Sequence, residues 1–241
     1  MLKVDNLNKC FGRVNAVKGI SFAVGKGEVL GILGPNGAGK STTAQMLAGV
    51  IPPTSGTVSI CGHDIFKDPV AAKTDLGYLA EGAPCYGEMT VAEFLAYAAR
   101  MRGLRGAAAR ARVEGAIERT GLTAVARQVI ATLSRDCRQL ACLAQAILHD
   151  PQVLVLDEPA DGLDPDQRFA VHAIVREMSA EKAVVISTRD LGEAEAVCTR
   201  ALVIAHGETK AEGTPDELRA MDPNGSLETA FRNLTTGKEG K

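Results

Sequence analysis

The chain has 241 residues, 46% of them hydrophobic and 23% charged, a balance that supports a packed core and excludes wholesale disorder. Lys plus Arg number 27 against 29 Asp plus Glu, a net charge of −2; this offers no bulk positive field, and no nucleic-acid partner is expected. No apolar run reaches about 18 residues, so no transmembrane helix is expected, and Met1 to Asn6 lacks the charged stretch and apolar core of a secretory signal.

The elements follow in chain order. Leu2 to Leu7 alternates apolar and polar residues, as a half-buried strand does. Ile20 to Val24 and Thr57 to Ile60 read the same way, with Gly25-Lys26-Gly27 as a turn between strands, and these early strands are expected to form an antiparallel layer. Val29 to Leu33 is a short, nearly continuous apolar run, followed by a helical pattern from Thr43 to Ala48. Val153 to Leu156, Ala183 to Ile186 and Ala201 to Ile204 are runs of the same type, and four of them suit a buried parallel sheet covered on both faces. Between them, Thr90-Val91-Ala92-Glu93 is a capping box opening a helix through about Met101. Ala107 to Thr120 reads as a second helix and Arg138 to His149 as a third. No strand pattern interrupts this stretch, so residues near 83–150 are expected to form a helical subdomain inserted into an α/β layer structure. Met89 and Met101 read as core. A last capping box, Thr214-Pro215-Asp216-Glu217, has proline at the first helical position, and Gly237 to Lys241 reads as a frayed tail. The six cysteines include no CxxC pair, so reduced thiols in a cytosolic protein fit better than a disulfide frame or a zinc site.

Two stretches carry chemistry. Gly34-Pro35-Asn36-Gly37-Ala38-Gly39-Lys40-Ser41-Thr42 fits the P-loop pattern GxxxxGK[ST], between a buried strand and a helix. The glycines let the backbone fold into a nest whose N–H groups point at phosphate oxygens. Lys40 then reaches the β- and γ-phosphates, and the Ser41 hydroxyl ligates Mg²⁺. Val153 to Leu156 ends in Asp157-Glu158, the Walker B pattern. Asp157 is expected to hold Mg²⁺, directly or through water, and Glu158 to polarise the attacking water. The alternative is a pair of acids favouring a helix start at Ala160.

Together, GPNGAGKST, LDEP and Gly162-Leu163-Asp164-Pro165 resemble the nucleotide-binding subunit of an ABC transporter, over nearly the whole chain. Phe11-Gly12, Leu133-Ser134, Arg138-Gln139 and Leu143 to Leu148 belong to the same resemblance. Gly77 to Glu81, with Thr90 to Glu93, resembles the branch serving export-type permeases for drugs, ions or gliding machinery. The resemblance implies a single domain over 1–241, with an ATPase core and β layer in 1–82 and 151–213, a helical subdomain in 83–150, and C-terminal helices and tail in 214–241. It implies ATP and Mg²⁺ as cofactors. Phe11 would stack on adenine, Gly34 to Thr42 would hold the phosphates, and Ser134 and Asp164 would be further nucleotide contacts. Ser41, Glu81 and Asp157 would serve Mg²⁺, and Glu158 would be the general base. The implied partners are a membrane permease subunit and a second ABC ATPase subunit, in a homodimer or heterodimer that sandwiches two ATP molecules. The implied location is cytoplasmic, peripheral on the inner face of the membrane through the permease.

Three positions depart from the family. Its signature, Leu-Ser-Gly-Gly-Gln or Leu-Ser-Lys-Gly-Tyr, reads here Leu133-Ser134-Arg135-Asp136-Cys137. A side chain at 136 crowds the approach of the opposite subunit's γ-phosphate, and a carboxylate adds repulsion. Arg135 and Arg138 are candidates to offset it, and the alternative is that Asp136 simply caps the following helix. Arg189 stands in Ile186-Ser187-Thr188-Arg189, where the family places the switch histidine; arginine keeps a donor and a charge but has a different reach. Glu81 stands where many members carry Gln, and a carboxylate can ligate Mg²⁺ as well as an amide. Slow hydrolysis is the expected consequence. Arg100, Arg102, Arg105, Arg110 and Arg112 read as a solvated helix face, with anionic lipid or a permease loop as the alternative contact.

Overall fold

The computed structural model describes residues 1–236, so the expected frayed tail lies outside the described residues. The first half runs β1 (Leu2–Phe11), β2 (Val14–Val24), β3 (Glu28–Leu33), α1 (Lys40–Leu47), β4 (Ser55–Ile60), β5 (His63–Asp64), α2 (Pro69–Thr74), β6 (Leu76–Leu79), α3 (Val91–Met101) and α4 (Gly106–Arg119). Two 3-10 turns, Thr123–Val125 and Ile130–Thr132, lead to α5 (Arg135–Ile147). Then come β7 (Val153–Asp157), α6 (Pro165–Ser179), β8 (Ala183–Thr188), α7 (Leu191–Val197), β9 (Arg200–Ala205), β10 (Glu208–Gly213), α8 (Pro215–Arg219) and α9 (Leu227–Thr236).

The architecture is α/β with two sheets. The antiparallel layer has the order β2-β1-β4-β5 and the larger sheet the order β10-β9-β3-β8-β7-β6. The four apolar runs pair in parallel, joined by β6, also parallel, while β10 closes the other edge antiparallel to β9. In β1 the buried alternation Leu2, Val4 slips by one residue to Leu7; the slip is a bulge at Asn6, whose φ is 46°. Alternating residues of the central strands feed two cores. Leu30, Ile32, Val153 and Val155 pack with the antiparallel layer and α1. Val29, Leu33, Leu154 and Leu156 pack on the other side with apolar residues of α3 to α6. The helices after β6 therefore share their core with one face of the sheet.

Both capping boxes form, at Thr90 with Glu93 and at Thr214 with Glu217. The third helix starts three residues earlier than its periodicity predicts, because the Ser134 hydroxyl caps it. α1 likewise starts at Lys40, since the last turn of the P-loop is already helical. Met89 packs against the core, but Met101, expected in the core, is 69% exposed. The arginine stretch is only partly a solvated face. Arg102 donates to the Lys73 carbonyl, with burial lowering its pKa, and Arg112 pairs with Asp150 at 3.4 Å. The cysteines among the described residues are all free.

Candidate functional site

Register brings the motif segments to one sheet edge. In the parallel ladder Leu33 lies opposite Thr188, Asp157 opposite Ser187 and Leu79 opposite Leu156. The P-loop, Glu158, Arg189 and Glu81 thus all leave the sheet at the carboxyl ends of neighbouring strands, where open α/β sheets bind ligands.

The loop after β3 turns sharply at Gly39, φ 105°, where a Cβ would sit 2.5 Å from the Ala16 carbonyl oxygen; only glycine fits. The turn delivers Lys40, 6% exposed, whose Nζ donates to the Gly34 carbonyl at 2.9 Å and stands 3.6 Å from Glu158 Oε1. Asn36, Gly37, Gly39, Lys40, Ser41 and Thr42 line a cavity of about 440 Å³, within the range of small-molecule sites. Gly34, Pro35 and Ala38 shape the loop without lining it. Phe11, Glu81, Glu158 and Arg189 line the same cavity, together with Ala16 and Asp161, which no motif marks. Phe11 is 49% exposed, and Lys9 Nζ lies 4.9 Å from its ring centroid, a cation–π contact.

Below the cavity Ser41 Oγ donates to Glu81 Oε2 at 2.9 Å and lies 3.4 Å from Asp157 Oδ1. Ser187, unforeseen as a site residue, donates its hydroxyl to the same Asp157 oxygen. Asp157 Oδ2 is buried with no hydrogen-bond partner. Burial raises the pKa of Asp157 above the usual carboxylate range against the hydroxyl bonds, and burial raises Glu158 against the attraction of Lys40. Two carboxylates sharing one serine hydroxyl, one of them with a further buried oxygen left unpartnered, are a hard-oxygen donor set, and these residues fit Mg²⁺. Among the described residues no three His, Cys, Asp or Glu side chains surround a common point, so such an ion needs water and phosphate oxygens to complete its shell.

Residues 17–161 match the family described as ABC transporter. The chain belongs to the ABC transporter family. An uncharacterized ABC transporter ATP-binding protein of Bacillus subtilis is 39% identical over 219 residues, covering 91% of this chain and 72% of the relative. A linearmycin resistance ATP-binding protein of the same organism is 36% identical over 219 residues, covering 90% and 70%. Among solved structures, one described as the ATP binding subunit of an ABC transporter superposes with a TM-score of 0.88 at 30% identity, covering 97% of this chain and 99% of that one. The fold and motifs are those of an ABC ATP-binding domain.

Two residues of the ABC resemblance stand apart from the chain's own cavity, one of them Ser134 of the signature segment, which the resemblance assigns to the opposite subunit's ATP. Ser134 Oγ accepts from the Cys137 N–H at 3.2 Å, and Asp164 Oδ1 from the Gln167 N–H at 2.8 Å. Both are helix N-caps, of α5 and α6, and neither lines the chain's own cavity. Asp136 does not cap α5, since Ser134 holds that position; it sits in the first turn, where a carboxylate suits the helix dipole. Arg135 and Arg138, the candidates to offset its charge, have other hydrogen-bond partners: Arg135 bonds Asp161 at 2.6 Å and Arg138 donates to the Leu133 carbonyl at 3.0 Å. Arg189 is exposed but not free, pairing with Asp161 at 2.9 Å. Gln139 fastens the Walker B turn to α5, donating to the carbonyls of Glu158 and Pro159 at 3.1 and 3.3 Å. Glu158 holds a φ of 48°, a left-handed conformation rare for glutamate; such strain gathers at functional positions.

Proposed function

We propose that this chain is the ATP-binding subunit of an export-type ABC transporter, binding ATP with Mg²⁺ and hydrolysing it to drive a separate membrane permease. The observation that carries the reading is the pair of carboxylates gathered on the Ser41 hydroxyl, Glu81 Oε2 at 2.9 Å and Asp157 Oδ1 at 3.4 Å, with the other Asp157 oxygen buried and unpartnered, beside a cavity lined by the P-loop. A buried carboxylate oxygen without a partner is costly, and a bound cation would satisfy it. Phe11 would stack on the adenine, and residues 34–42 would hold the phosphates. Lys40, poised between the Gly34 carbonyl and Glu158, would meet the β- and γ-phosphates. Ser41, Glu81 and Asp157 would hold Mg²⁺, which when bound neutralises phosphate charge. Glu158, made more basic by burial and standing 3.6 Å from Lys40 Nζ, would act on the attacking water.

Ser134 and Asp164, set away from the chain's own cavity, support the sandwich in which a second ABC subunit, identical or different, completes each site. The export-type assignment rests on Gly77 to Glu81 with Thr90 to Glu93, and the linearmycin-resistance relative is in keeping with it. No helix among the described residues is long and apolar enough to cross a membrane, so the proposed attachment is through the permease, on the cytoplasmic face. The proposed organisation is one ABC domain, with 83–150 as its helical subdomain and 214–241 as its C-terminal part. Equilibrium titration with ATP and Mg²⁺ tests the core of this reading: Lys40→Ala should abolish tight binding, and tight binding retained by that variant would overturn it.

A second reading has its own support. Arg189 engaged by Asp161, and Asp136 in the first turn of α5, favour a regulatory or heterodimeric subunit that binds ATP as a switch and hydrolyses it slowly. Turnover measured with the permease present separates the two.

A further inference from the structure

Asp161 lies in no motif read from the sequence, yet its carboxylate joins Arg189, which stands in place of the switch histidine, to Arg135 of the altered signature stretch. Its Oδ1 accepts from Arg189 Nη2 at 2.9 Å and its Oδ2 from Arg135 Nη2 at 2.6 Å. The three residues come from separate segments: Arg135 opens α5, Asp161 follows β7 and Arg189 follows β8. Gly162 makes room for the bridge. Its φ is 76°, and a Cβ there would sit 3.0 Å from Arg135 Nη1 and 3.1 Å from its Cζ, so the guanidinium lies against a bare α-carbon. Burial raises the Asp161 pKa, but the hydrogen bonds and positive charges of Arg189 and Arg135 together lower it, so it is an anion at neutral pH.

Asp161 and Arg189 line the same cavity as Lys40 and Glu158. A P-loop lysine marks the β- and γ-phosphates, so ATP brings a second anion into the cavity that Arg189 lines. The Arg189 side chain is 54% exposed, and among the described residues its guanidinium is held by Asp161. A guanidinium bonds phosphate and carboxylate through the same planar donors, and the γ-phosphate carries more charge and more acceptor oxygens. ADP brings no such rival.

We propose that Asp161 is a specificity-determining residue: its carboxylate and the γ-phosphate are alternative anions for Arg189, and Asp161 thereby sets how strongly the chain prefers ATP to ADP. This rests on the ATP-binding reading above. Arg135 tunes the exchange, because by occupying Oδ2 it leaves Asp161 one oxygen for Arg189 instead of a bidentate grip. The Asp161 side chain is 32% exposed, so the pair has the modest strength of a solvated ion pair, worth about two- to fivefold in affinity.

The test is equilibrium titration of ATP and of ADP, each with Mg²⁺, into the full chain and into Asp161→Asn, Arg189→Ala and the double variant. Asp161→Asn should tighten ATP by about two- to fivefold and leave ADP unchanged. In the Arg189→Ala background the same substitution should do nothing, because the exchanged group is gone. Weaker ATP binding by Asp161→Asn overturns the proposal. So does a tightening that persists without Arg189, which would be plain removal of a negative charge. Arg135→Gln keeps the proposal testable if Asp161→Asn does not fold. By freeing Oδ2 for Arg189 it should weaken ATP relative to ADP by a similar factor, only while Arg189 is present, and no such change overturns the proposal. A parent chain that binds neither nucleotide overturns the ATP-binding reading and this inference with it. A parent that binds ATP without any dependence on Asp161 overturns this inference alone.

Discussion

Replacing Asp157 by asparagine separates the stability cost of the site from its capacity to bind. Asp157 is fully buried at the end of β7, its Oδ1 facing the hydroxyls of Ser41 and Ser187 while Oδ2 has no partner. An unsatisfied buried acceptor costs about 1–3 kcal/mol, more when charged. Burial accordingly raises the Asp157 pKa. A carboxyl whose folded pKa exceeds its unfolded value adds stability below the unfolded value and loses it as pH rises through the folded one. At neutral pH the ionised side chain is therefore a net burden on the nucleotide-free fold. Asparagine keeps an acceptor for the hydroxyls and removes the charge. The nucleotide-free variant should gain about 1 kcal/mol, or about 2–4 °C in Tm for a chain of this size. The gain should disappear on acidification, as the parent's Asp157 takes up its proton. With Mg²⁺ and ATP at about 100 times Kd the order should reverse, since ligation stabilises the parent by about 2.7 kcal/mol and the variant has lost a metal ligand. Thermal melts followed by circular dichroism, with EDTA and then with Mg²⁺ and ATP, measure both effects. A variant less stable than its parent without nucleotide, or one stabilised by Mg²⁺ and ATP as fully as its parent, would refute the reasoning.

Three further outcomes are expected. Ser134→Ala removes the α5 cap bonded to the Cys137 N–H and should lower stability by about 1 kcal/mol, while ATP titration of the isolated monomeric chain stays unchanged; weakened ATP binding there would place Ser134 in the chain's own site. Because burial raises the Glu158 pKa, turnover should fall on acidification through a value above the ordinary glutamate range, and a pH–rate profile with no such acid limb would count against Glu158 as the base. Hydrolysis by the chain alone should be slow, and Asp136→Gly combined with Arg189→His should raise it in a steady-state phosphate-release assay; brisk turnover by the unaltered chain would refute that account.

The parts of this protein legible in its residues are those whose physics is local. The P-loop is nine consecutive residues, Gly34 to Thr42, whose phosphate nest is a property of their own backbone, and Gly39 adopts the φ of 105° that such a turn needs. The capping boxes at Thr90 and Thr214 are four-residue devices and both form as read. The apolar runs at β3, β7, β8 and β9 announce a parallel sheet because strands buried on both faces have no polar alternation. β6 stayed hidden, being four residues long and interrupted by Gly77. What only the tertiary structure decided are the pairings across segments: Ser187 on Asp157, Gln139 on the Walker B turn, and Asp161 between Arg135 and Arg189. The same holds for the side chains of Ser134 and Asp164, which cap α5 and α6 and do not line the chain's own cavity. Such contacts depend on which strand ends stand side by side, set by the order β3-β8-β7 and its register, and no spacing along the chain encodes the distance between two side chains 26 or 28 residues apart.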